Sequence, residues 1–177
     1  MTPPRARLAG WVAALCLAGA LLVPAHQPAM AAQSVAEDAR LGSSGLPLPR
    51  FVSLKSGEVN LRTGPGKRYP IDWIYQRQGL PVEIVDEFKD WRRVRDHDGT
   101  MGWVHRFMLV SRRTVLVMGE TRVLRRKPQP DGPGLVYLEA GVIAELRDCE
   151  RAWCRVETQG FDGWLHRSEI FGTNADD

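Results

Sequence analysis

From Phe51 onward the apolar residues come in short runs of Val, Ile, Leu and aromatics, with no sustained 3.6-residue spacing. Between the runs lie turn clusters: Gly64-Pro65-Gly66, Gln78-Gly79, Lys89-Asp90, Asp98-Gly99, Pro130-Asp131-Gly132, Gly141 and Asp162-Gly163. Short strands at this spacing predict small all-β barrels or sandwiches. Two stretches break the pattern. Residues 8–23 are an uninterrupted uncharged run, and residues 32–50 are rich in Ala, Ser, Gly and Pro without periodicity, which predicts a flexible leader.

The uncharged run follows Arg5 and Arg7 and ends in small residues up to Ala31 and Ala32. A basic start, an apolar centre and an A-x-A site predict a secretory signal cleaved after Ala31. The run is shorter than the ~20 residues that span a bilayer, which favours a cleaved signal over an anchor. Cys16 follows Leu15, a poor fit to a lipidation site. The expected localisation is therefore periplasmic or secreted, with no stable membrane insertion of the mature chain.

The mature region repeats itself. NLRTGP at 60–65 aligns with VLRRKP at 123–128, an offset of 63. GLPVEIVD at 79–86 aligns with GVIAELRD at 141–148, and WRRV at 91–94 with WCRV at 153–156, both at 62. GWVHR at 102–106 aligns with GWLHR at 163–167 at 61. The order is kept and the offset drifts by one residue between blocks. The expected domains are residues 51–113 and 114–172, with a tail at 173–177.

In each copy a strand meets a short polar turn and a Trp begins the return strand, a hairpin signature. With Lys89-Asp90 and Arg151-Ala152 at the tips, residues whose numbers sum to 179 or to 303 face each other. That register opposes Cys149 to Cys154 and, in the first copy, Glu87 to Arg92. It also opposes Val85 to Val94, Asp86 to Arg93 and Asp148 to Arg155. In an exported protein the two remaining cysteines form a disulfide, because two thiolates alone lack the further ligands a metal needs. Closing so short a loop stabilises by roughly 2 kcal/mol on the chain-entropy model.

The chain has 177 residues and a formal charge of +3. Removing the first 31 residues takes away two Arg and leaves 22 basic against 21 acidic residues. The remainder is uneven: 51–113 carries 12 basic and 8 acidic residues, 114–177 carries 8 and 11. Arg92, Arg93, Arg95, Arg106, Arg112 and Arg113 place much of the first copy's basicity late, either as a solvated strand face or as a site for an anionic polymer. Nucleic acid is a poor partner for an exported protein despite this Arg content. Gly64-Pro65-Gly66-Lys67 lacks the spacing of a phosphate loop, and no nucleophile elbow is present.

The segment EVNLRTGPG at 58–66 resembles the opening motif of bacterial SH3-like domains, and GWVHR at 102–106 resembles their closing motif. LPLPRFVS at 46–53 followed by WRRV at 91–94 resembles secreted tandem SH3-like proteins of proteobacteria. The second copy departs at the opening loop, with Val123 for Asn60 and Arg126-Lys127 for Thr63-Gly64. The resemblance implies small, strongly bent barrels used as binding or targeting modules, often for cell-wall peptides, with no catalytic residues and no cofactor.

On that basis the chain is expected to be a non-catalytic binding protein for a cell-wall (peptidoglycan) peptide or an envelope protein. The alternative is a structural or assembly adaptor without a small-peptide ligand. The candidate contacts are Arg62, Tyr69, Trp73, Tyr75 and Trp91, in a shallow groove on the first copy, where the aromatics concentrate. Gly102, Trp103, His105 and their equivalents Gly163, Trp164, His166 are expected to be structural, the Trp packing in or against each core and the His hydrogen-bonded within the barrel.

Overall fold

The computed structural model describes residues 40–174 and 177, and the signal segment with its cleavage site at Ala31 lies outside them. A short hairpin, β1 (Arg40–Leu41) and β2 (Pro47–Leu48), precedes two seven-stranded antiparallel sheets. The first contains β3 (Arg50–Leu54), β4 (Val59–Arg62), β5 (Ile71–Tyr75), β6 (Pro81–Phe88), β7 (Trp91–Arg95), β8 (Met101–His105) and β9 (Leu109–Val110). The second contains β10 (Thr114–Val117), β11 (Arg122–Arg125), β12 (Gly134–Leu138), β13 (Ile143–Glu150), β14 (Trp153–Thr158), β15 (Phe161–His166) and β16 (Ile170–Phe171). Their orders, β5-β4-β8-β7-β6-β3-β9 and β12-β11-β15-β14-β13-β10-β16, correspond strand for strand. The protein is therefore two tandem SH3-like all-β barrels.

Alternation along the strands builds each core. In β4, Val59 and Leu61 point inward while Asn60 and Arg62 point outward; in β7, Arg92 and Val94 point inward. Each sheet bends sharply where β4 meets β8, or β11 meets β15, through a single pair: Arg62 with Trp103 and Arg125 with Trp164. Glycine is required beneath that crossing. A Cβ on Gly102 would lie 2.5 Å from Leu61 Cγ, and one on Gly163 would lie 2.7 Å from the Arg125 carbonyl oxygen. The residues that fill the core next to these glycines are Val104 and Leu165. Trp103 and Trp164, expected to pack on the core, instead lie on the outer face and are half-buried, because strand alternation turns them away from the inward-facing glycine.

The hairpin register holds at the tips. Cys149 pairs with Cys154 and Glu87 with Arg92, and Asp86–Arg93 and Asp148–Arg155 also face each other. The expected Val85–Val94 pair does not form. A bulge lies between Ile84 and Asp86, so Val94 pairs with Ile84; the second copy bulges at the same place, between Leu146 and Asp148. The extra residue lets the long strand bend round the barrel.

Residues 40–50 are not a flexible leader. Leu48 is only 2% exposed and belongs to the first core, and Arg50 already pairs with Ile84. Arg40 donates to the Val85 carbonyl of the bulge at 2.9 Å. Sequence periodicity could not show this, because the segment is held by a few sockets on the barrel and not by a repeating apolar face.

The two barrels belong to one compact unit and share a wall. All four residues of β10 are buried: Val115 and Val117 enter the second core, while Leu116 enters the first. The Thr114 hydroxyl donates to the Gly79 carbonyl at 2.6 Å and lies 2.7 Å from the Ser53 hydroxyl. Phe51 and Phe171 meet edge to face at 5.1 Å.

Candidate ligand groove on the first barrel

The hairpin tip at Lys89-Asp90 brings Phe88 opposite Trp91, and the β7–β8 register brings Trp91 opposite His105. The Trp91 and His105 rings meet edge to face, 5.2 Å apart at 87°. On one side of Trp91 a hollow of about 520 Å3 runs between the loop at 65–68 and the hairpin tip at 88–90. On the other, a hollow of about 170 Å3 is lined by Glu58, Asn60, Arg62, His105 and Met108. Lys67 and Trp91 line both, so the two hollows adjoin at these side chains, and together they are the candidate groove.

Of the five candidate contacts, Arg62 and Trp91 line this groove. Arg62 also holds its wall in place, donating to the carbonyls of Tyr69 at 2.7 Å and Lys67 at 3.3 Å. Arg125 does the same to Gly132 in the second barrel. Tyr69 supports the loop from beneath. Its ring fills the space a Cβ on Gly64 would take, at 2.5 Å, and Arg68 lies over it at 5.1 Å. In the second barrel the bulk is exchanged, with Lys127 at the Gly64 position and Gly132 at the Tyr69 position.

The other two are elsewhere. Tyr75 is 4% exposed and is a core pillar: its hydroxyl donates to Asp96 at 3.0 Å. Burial, followed by the Asp96 charge and hydrogen bond, pushes that hydroxyl well above the ordinary tyrosine range. Asp96 in turn accepts from the backbone N–H groups of Asp98 and Thr100, so the pillar also orders the β7–β8 turn. Trp73 is 57% exposed on the edge strand β5 and lines a different hollow, with His97, Leu116 and Gly141, where the two barrels meet. Strand pairing places Ile74 at the position of Tyr137 in the second barrel.

The hollows are also lined by residues not among the candidate contacts, including Glu58, Asn60, Lys67, Arg68, Phe88 and Lys89, and by His105, which was expected to be structural. Phe88 was accessible from the hairpin register. Lys89 belongs to the same hairpin tip; Glu58, Asn60, Lys67 and Arg68 come from a strand and loops that only the folded barrel brings to it. The expected hydrogen bonding of the repeated His is present in one copy: His166 Nδ1 lies 2.7 Å from the Ser168 hydroxyl and caps a 3-10 turn at Arg167–Glu169. At the equivalent turn, Arg106–Met108, His105 makes no side-chain cap and packs on Trp91 and Phe107 instead.

Opposite the groove, the Glu87 side chain is 0% exposed and accepts from Arg50 at 2.5 Å, the Ser44 N–H at 2.7 Å and the Ser44 hydroxyl at 2.8 Å, with Arg92 at 3.1 Å. Burial works to raise its pKa, but the Arg50 hydrogen bond, the two from Ser44 and the Arg50 charge outweigh burial and hold it down at about 2. At the same place in the second barrel is the Cys149–Cys154 disulfide, with Cα atoms 4.0 Å apart. Of the late arginines, Arg92, Arg95, Arg106 and Arg113 each have a carboxylate partner, so much of that basicity is already neutralised.

Two strongly bent barrels of one topology, the first carrying aromatic-lined hollows, define a tandem small-barrel protein. A family model described as bacterial SH3 domain matches twice, at residues 55–109 and 119–172. The chain belongs to the bacterial SH3 domain family. Among solved structures it is similar to NlpC1 and NlpC2 of Trichomonas vaginalis, each at 13% identity and TM-score 0.33, over 69% and 71% of this chain. It is also similar to an NlpC/P60 family protein of Bacillus cereus, at 16% identity and TM-score 0.32, over 68% of this chain. The chain spans about half the length of these structures: 45%, 48% and 55% respectively. No curated protein matches it.

Proposed function

We propose that the chain is an exported, non-catalytic binding protein that recognises a cell-wall (peptidoglycan) peptide through the first barrel. Its location would be the periplasm or the exterior, following the signal segment. The observation that carries the reading is the pair of adjoining hollows at Trp91, beside a loop stapled through Arg62. Aromatic floors with fixed polar walls suit extended peptides, because the ring supplies contact area at little entropic cost. Membership of a family of binding modules supports the same reading.

The test is retention of the full chain by purified peptidoglycan, repeated with Trp91→Ala. Retention that falls at least about tenfold in the variant is expected, the loss typical of a central aromatic contact. Retention by neither protein would overturn the reading; equal retention by both would reject the groove.

A second reading, an envelope-protein adaptor, is favoured by one feature. Edge strand β5 exposes Ile71, Trp73 and Ile74 beside an unpaired backbone edge, a surface suited to another protein.

A further inference from the structure

Both hollows beside Trp91 are lined by more cations than acids. Lys67, Arg68 and Lys89 line the larger one, and Arg62 and Lys67 line the smaller. Lys67, Arg68 and Lys89 are exposed and Arg62 is half-buried. None of the four is paired with a carboxylate among the described residues. The acids are Asp90 in the larger hollow and Glu58 in the smaller. Asp90 is bound to Arg106 at 2.7 Å, and Glu58 is outnumbered by Arg62 and Lys67.

What holds these cations does not cancel their charge. The Arg68 guanidinium lies 5.1 Å from the centre of the Tyr69 ring and the Lys89 ammonium 5.5 Å from that of Phe88, and a ring face orients a cation while leaving it a cation. Arg62 is fixed by two carbonyls, acceptors without net charge. The positive potential is therefore in place before a ligand arrives. The second barrel keeps the aromatic pair, Trp153 against His166 at 5.2 Å, but not this balance. By strand register and repeat offset, Lys67, Arg68 and Phe88 become Pro130, Asp131 and Glu150, and Met108 becomes Glu169. Glu58 and Asp90 become Thr121 and Ala152, while Arg125 and Arg151 stand for Arg62 and Lys89. Four cations against two acids in the first barrel thus face two cations against three acids in the second.

Resting on the peptide-binding reading above, we infer that these hollows select a peptide bearing carboxylates, and that the second barrel does not share the site. A carboxylate in the larger hollow meets Lys67, Arg68 and Lys89, which offer it charge-assisted hydrogen bonds. Phe88 and Trp91 supply contact area that is indifferent to charge. The cations then discriminate against neutral and cationic peptides of the same size.

The probe is a pool of soluble muropeptides released from peptidoglycan by muramidase, titrated calorimetrically into the full chain, untreated and with its carboxylates amidated. Amidation is expected to weaken binding by about tenfold or more. The Lys67→Gln/Lys89→Gln double variant should weaken untreated binding similarly and remove most of the effect of amidation. Glu58→Gln should tighten untreated binding about twofold, because it takes away an acid the ligand would face. Arg151→Gln, at the equivalent tip of the second barrel, should change nothing. All four positions are exposed, so the variants keep the fold, which circular dichroism checks. Inorganic polyphosphate, titrated in parallel, should bind more weakly than the pool, since it offers nothing to the two rings.

Trp91-dependent binding that amidation does not weaken would overturn the selection for carboxylates and leave the peptide reading standing. A loss in Arg151→Gln as large as that in the double variant would overturn the assignment to the first barrel. Polyphosphate binding as tightly as the pool would overturn the peptide as the source of the anion. Absence of binding by either form of the pool would overturn this inference and the peptide reading together.

Discussion

The two hairpin tips occupy the same place in the same topology and are fastened by different chemistry. In the first barrel Glu87 faces Arg92, reaches Arg50 on β3 and anchors Ser44, so one buried carboxylate ties the hairpin, an adjoining strand and the preceding segment together. In the second, Cys149 and Cys154 tie one strand to its neighbour and nothing more. An ion-pair hub can gather several elements because a carboxylate accepts several hydrogen bonds. A disulfide joins two positions and needs no further partner. The hub is sensitive to acid and the bridge to reductant, so the two barrels should fail under different conditions.

Removing the hub should have the largest effect. Glu87→Ala leaves Arg50 and Arg92, both largely buried, without their shared carboxylate, and removing one partner of a buried ion pair typically costs about 3–5 kcal/mol. Urea unfolding should show the loss, and amide exchange should rise at 42–46 as well as in β6 and β7. Protection unchanged at 42–46 would break the claim that Glu87 orders this segment.

Acid should produce a smaller version of the same change. Glu87 is held at about 2 against an ordinary 4.5, so it contributes stability above pH 4.5 that is lost as pH falls toward 2. The urea midpoint should therefore drop across that window in the wild type. In Glu87→Gln the drop should be shallower, because the amide does not titrate.

Reducing the disulfide, or replacing both cysteines by serine, should have the smallest effect, roughly 2 kcal/mol for so short a loop. Exchange should rise in β13 and β14 without change at 42–46. A loss exceeding that of Glu87→Ala would reverse the comparison.

Much of this was legible in the order of residues. The repeat located two barrels, and the alignment of Glu87 and Arg92 with Cys149 and Cys154 located the facing positions, because a two-residue turn sets a hairpin's numerical register near its tip. Farther from the tip the register failed at Val85, since a bulge answers to the curvature of the closed sheet and leaves no local signature. The groove was half legible. Arg62 and Trp91, expected as contacts, line the hollows beside the hairpin tip, whereas Tyr75 lies in the core, because an aromatic in an amphipathic strand reads the same whether its hydroxyl meets a ligand or a buried aspartate.

Local pattern by itself determined the strand content, the duplication, the disulfide pair and the family, all of which depend on spacing along the chain. Tertiary structure decided the rest. It made residues 40–50 part of the first barrel through Leu48 and Glu87, and put Leu116 of the second copy into the first core. It also gathered Glu58, Lys67 and Lys89 round one indole. These contacts join residues far apart in sequence, and closing the barrel is what brings them within reach of one another.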